Sequence, residues 1–143
     1  MSSPGEHLYQ ERLNDKANEV LKELKDLLKD LLEQQKFKIL RKNLYLCEDE
    51  PALFDIVKRL IKELDFIKTK DPVPGYNAFR IPEPFESPTI SLSTGPAYLI
   101  PVHTIKGSPT ISDKPFEPGT AILFKYPVKV TPASEFLVIA ASS

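Results

Sequence analysis

The sequence predicts an α+β protein: amphipathic helices first, then a small proline-rich antiparallel β-sandwich or partly open barrel. Three observations carry this. Leucines recur at helical spacing through the first half. Short β-branched and aromatic runs, bounded by Pro, Gly or Ser, fill the second. Composition changes between them. Residues 1–70 hold 14 basic and 14 acidic side chains, whereas residues 71–143 hold five basic, six acidic and 12 of the 14 prolines. The expected organisation is a charged, helical, assembly-type region over 1–70 and a β domain over 71–143.

The first helix is predicted over residues 8–35. Leu13, Ala17, Val20, Leu24, Leu27 and Leu31 alternate steps of four and three, the a/d seam of a coiled coil. Leu21 and Leu28 widen that seam, which favours a helical hairpin, a bundle of several helices or packing on a sheet. Opposite charges such as Glu19–Lys22 and Lys22–Asp26 line the other face, each pair contributing about 0.2–0.5 kcal/mol. Residues 36–46 follow, and their period allows either more helix or a strand. This segment carries Lys36, Lys38, Arg41 and Lys42, a candidate phosphate-contacting patch beside the acidic run Glu48-Asp49-Glu50. A second helix over 50–68 is announced by Asp49 as a cap and Pro51 in the first turn. Leu53, Val57, Leu60, Leu64 and Ile67 repeat the four-three spacing, and Asp71-Pro72-Val73-Pro74-Gly75 ends it.

Strands are expected at 77–81, 89–93, 97–105, 110–112, 120–126, 128–131 and 135–141. Prolines beside so many of them imply edges and bulges rather than long ladders. Ser87-Pro-Thr-Ile-Ser91 recurs as Ser108-Pro-Thr-Ile-Ser112, each copy followed by a Gly-containing turn and an apolar strand. Two equivalent strand–turn–strand units are one reading. The last strand is apolar on both alternating faces, Phe136 and Val138 on one and Leu137 and Ile139 on the other. Such a strand is either central in its own sheet or added to a neighbouring subunit.

Motifs for chemistry are sparse. His7 lies near the N-terminus. His103 alternates with Leu99, Pro101 and Ile105, with Asp113 and Glu117 as partners by position alone. It marks the strongest position for a hydrolytic or ligand-binding centre. Cys47 precedes three acidic residues, an environment that disfavours the thiolate. A single cysteine excludes an intrachain disulfide and fits a reducing compartment. No metal-ligand spacing and no phosphate loop is present, so no catalytic residue, cofactor or metal is assigned. The net charge of −1 gives no global attraction to nucleic acid. No apolar run approaches the roughly 20 residues of a membrane span. Abundant Glu and Lys lean toward a thermophilic source.

The expectation is therefore a non-enzymatic structural or assembly protein that forms a homo-oligomer, in the cytoplasm or a virion. A viral capsid, decoration or connector component fits this layout. The expected partner is the chain itself or other assembly subunits. The expected interface is Leu13, Val20, Leu24, Leu27 and Leu31, with Phe136 and Val138 of the last strand. The alternative is a small nucleic-acid-binding regulator using Lys36, Lys38, Arg41 and Lys42 with the second helix.

Overall fold

Asn14 decides where the first helix begins. Its side chain accepts a hydrogen bond from the Ala17 N–H at 2.8 Å, capping α1 (Asp15–Glu33). The computed structural model describes residues 9–48, 50–68, 70–83, 87–90, 95–112, 114–125, 127–131 and 133–141. Upstream of the cap, residues expected to be helical form strand β1 (Tyr9–Arg12). The helix ends on Gln35, whose φ of 60° is left-handed. The Gln35 N–H donates to Leu32 O and the Lys36 N–H to Leu31 O, a Schellman closure. The ambiguous segment then becomes a hairpin, β2 (Phe37–Arg41) and β3 (Leu44–Cys47). Asn43 takes φ 58° in its turn. Its amide donates to Glu83 O at 2.7 Å and accepts from the Glu83 N–H at 2.9 Å.

Helix α2 (Pro51–Lys62) starts on its proline as expected, while Asp49 lies outside the described residues. Glu50 occupies the cap position without a capping bond and pairs with Lys36 at 3.2 Å. The helix stops six residues before the expected 68. Leu64 and Ile67 stay buried on successive turns beyond it. Arg59 reaches Glu23 of α1 through two 3.0 Å bonds, and these hold the Glu23 carboxyl below its ordinary range.

The remaining strands are β4 (Tyr76–Ile81), β5 (Thr89–Ile90), β6 (Ala97–Thr104), β7 (Thr110–Ile111), β8 (Lys114–Pro115), β9 (Thr120–Phe124), β10 (Val128–Lys129) and β11 (Ser134–Ala140). Seven strands form one antiparallel sheet in the order β1-β9-β6-β11-β4-β3-β2. Strands β1, β2 and β3 come from the half expected to be helical. The expected boundary at residue 70 is thus crossed by sheet pairing: β1 lies on β9 and β3 on β4. The predicted class, mixed helix and antiparallel strand, is correct. A sandwich is only partly present.

Each sheet face is covered differently. Helices α1 and α2 lie on one face, where Leu24, Leu28, Val57 and Leu60 meet Tyr98, Ile100, Ala121, Leu137 and Ile139. The other face carries Phe79, Leu99, Ile122, Phe124, Phe136 and Val138. The ribbons β5–β10 and β7–β8 cover it with Ile90, Ile111, Val128 and Val130. The rings of Phe79 and Phe116 pack on Phe136 at 5.6 and 6.1 Å.

These layers remove the expected oligomer interface. Leu13, Val20, Leu24 and Leu31 are buried inside the chain, and Leu27 packs on the same cluster. The heptad seam is consumed by this chain's own sheet and α2, so it forms no intermolecular coiled coil in this fold. Phe136 and Val138 are fully buried because β11 is central, with β6 and β4 on either side.

Both Ser-Pro-Thr-Ile-Ser copies flank one segment. Ile90 faces Val128 and Ile111 faces Val130, both antiparallel, and both isoleucines enter the same core. The equivalence ends there. The two copies run parallel to each other beside that segment, whereas the following strands β6 and β9 pair antiparallel.

Candidate functional site

A seven-stranded open sheet has two edges, and apolar exposure concentrates on them. Among the described residues, four large hydrophobics are exposed: Tyr9, Ile39, Leu40 and Phe54. Tyr9 lies on edge strand β1. Ile39 and Leu40 are neighbours on edge strand β2, 64% and 50% exposed. They put apolar surface beside a backbone edge that no described strand covers. Its register with β3 shifts between Ile39 and Arg41, a bulge that leaves Leu40 without a partner.

The expected basic patch belongs to this same hairpin. Its four cations are only partly available. Lys36 is paired with Glu50. The Arg41 guanidinium donates to the Thr89 carbonyl, tying the hairpin to β5. Lys42 also makes a contact of its own. Lys38 is exposed beside Ile39. The patch is a strand edge, with the helix α2 start behind Lys36.

His103 lies elsewhere, and a bulge sets its position. Strands β6 and β11 pair Phe136 with Pro101 and Glu135 with His103, leaving Val102 as an extra residue. Simple alternation puts His103 on the face of Leu99. The bulge turns it onto the helix side, where it lines a cleft with Asn18, Leu21, Lys22 and Lys25 of α1. Pro101, which has no N–H for a ladder, marks the place. Behind His103, Glu135 is only 3% exposed and binds Arg80 of β4 at 2.6 Å. His103, Glu135 and Arg80 are thus consecutive across β6, β11 and β4.

Of the two partners inferred by position, only Glu117 lies among the described residues. Glu117 accepts from Gln10 at 3.2 Å, and Asp113 lies outside the described residues. Glu135 escaped sequence reading because its neighbours Phe136 to Ala141 read only as core. Burial first, then the Lys25 ammonium, hold the His103 imidazole below its ordinary range; Glu135 opposes this and Arg80 adds to it. Cys47 is buried on the helix side of β3, its thiol donating to Glu48 O at 3.5 Å. Among the described residues no helix is long and apolar enough to cross a membrane. No protein-family model matches the chain, and searches of curated proteins and of solved structures return no significant match.

Proposed function

We propose that the protein is a non-enzymatic structural subunit that self-associates through the free edge of β2. The exposed pair Ile39–Leu40 on that edge carries the reading. The second copy pairs antiparallel about a two-fold axis at Ile39, extending the sheet across both chains. In that register Lys38 of one copy faces Leu40 of the other and Phe37 faces Arg41, so no cation faces a cation within β2 itself, and Lys36 and Lys42 meet only beyond its ends. A one-half-step shift places Lys38 opposite Arg41, which like-charge repulsion disfavours. Lys38 and the bulge also limit promiscuous pairing with other edges. The net charge of −1 leaves little long-range repulsion between copies. A capsid, decoration or connector role, in a virion or in the cytoplasm, is the biological setting that fits such a subunit.

Light scattering over a concentration series tests this. The wild type gives a mass above one chain that rises with concentration. Ile39→Lys/Leu40→Lys gives the monomer mass, with stability changed by no more than about 0.5 kcal/mol per site. A wild type monomeric throughout overturns the reading.

A second reading rests on the crowding of Lys36, Lys38, Arg41 and Lys42 into one hairpin, as for a nucleic-acid-binding regulator. It expects retention on DNA or RNA at low salt that weakens steeply as salt rises. Three of the four cations already have partners in the chain, which places this reading second.

A further inference from the structure

One cleft sets two lysines and a histidine against an apolar wall. The cleft between α1 and the end of β6 has a volume of about 560 Å³, within the usual range for small-ligand sites. Its helix wall is one stripe: Asn18, Leu21, Lys22 and Lys25 recur at three- and four-residue steps. Its sheet wall is Pro101 to Thr104, closed below by Pro118 and Gly119. No carboxylate among the described residues lines it. Lys22 and Lys25 make no ion pair among the described residues.

We propose that this cleft binds a small phosphate monoester, with the phosphate on Lys22, Lys25 and His103 and the apolar body against Leu21, Val102 and Pro118. A phosphate monoester carries about −1.5 to −2 charges near pH 7. Two ammonium groups and an imidazole match that charge better than they match a monoanion. Asn18 and Thr104 add polar groups for the remaining oxygens. The bulge at Val102 brings His103 into the cleft, and the Glu135–Arg80 pair stands behind it in register. The groups facing His103 are Lys25 from α1, Glu135 from β11 and Arg80 from β4. A bound dianion offsets Lys25, so binding favours the protonated His103 ring and raises its pKa.

The test is NMR titration of the His103 ring resonances in the full chain, assigned with His103→Gln; His7 is the only other histidine. The probes are phenyl phosphate, inorganic phosphate and benzoate. Phenyl phosphate is expected to shift His103 saturably with a Kd of about 1 mM or tighter and to raise its pKa. Inorganic phosphate binds more weakly, and benzoate more weakly still. Lys22→Gln/Lys25→Gln, at two exposed positions, weakens phenyl phosphate at least about tenfold, roughly 1.4 kcal/mol. The absence of a saturable shift, or equal binding by the double variant, overturns the site. Benzoate binding as tightly as phenyl phosphate overturns the phosphate assignment. Inorganic phosphate binding as tightly overturns the role of the apolar wall.

Discussion

Replacing Leu24 separates one shared core from two independently folded regions. Leu24 is fully buried between α1 and the sheet. Helix α1 buries five large side chains: Val20, Leu21, Leu24, Leu28 and Leu31. At about 1.5–3 kcal/mol each, their burial contributes about 8–15 kcal/mol gross. The whole stability of a domain this size is about 5–15 kcal/mol. The sheet is therefore expected to lose its fold once α1 leaves. Leu24→Ala is expected to cost about 2–5 kcal/mol. Urea unfolding followed by far-UV and near-UV circular dichroism then shows one coincident transition at a lower midpoint. Leu24→Glu adds the several kcal/mol of burying an unpaired carboxylate, and both signals are lost together. A Leu24→Glu chain that loses helix but keeps a cooperative β transition at the wild-type midpoint refutes the shared core. An independently folded β domain, as the composition alone implies, predicts that second result.

Arg80→Met strands the buried Glu135 carboxylate and should cost about 3–5 kcal/mol in urea denaturation. Arg80→Met/Glu135→Leu should recover most of that loss, and no recovery disproves the charge argument. Asn43→Ala removes two bonds to the Glu83 backbone and strains a left-handed φ, for a total of about 2–4 kcal/mol. Asn43→Gly keeps the left-handed turn and should lose less. The lowered His103 pKa means the folded chain favours neutral imidazole. Its stability contribution is complete above the ordinary pKa of about 6.5 and is lost as pH falls below it toward the folded value. His103→Gln should flatten that part of the stability–pH profile.

Helix positions were legible because burial follows period: Leu24, Leu28, Val57 and Leu60 all face the core as the spacing implies. What the leucines pack on was not legible, since a wide apolar stripe suits a sheet as well as a second helix. The helix ends escaped for local reasons. Asn14 is an ordinary cap, but Leu13 continues the stripe across it and hides the break. Gln35 takes a left-handed conformation usually signalled by glycine, so the Lys36–Leu46 hairpin had no visible start. The last strand read correctly as apolar on both faces, and its neighbours fix the choice between a central place and an intermolecular one. His103 was noticed by residue type, but alternation assigned it to the wrong face. One extra residue at Val102 reverses that assignment, and nothing in local composition beyond Pro101 announces it.

The position of β11 has a consequence for how the chain acquires its shape. Strands β1, β9 and β6 form one group of neighbours, and β4, β3 and β2 another. Among the described residues only β11 pairs with a strand of each group. It follows both blocks in chain order, so during vectorial synthesis they emerge before the piece that joins them. Until residues 134–140 dock, each block exposes an unsatisfied flank, and closing the gap demands contacts far apart in sequence. The complete seven-stranded sheet can therefore form only once residues 134–140 are in place.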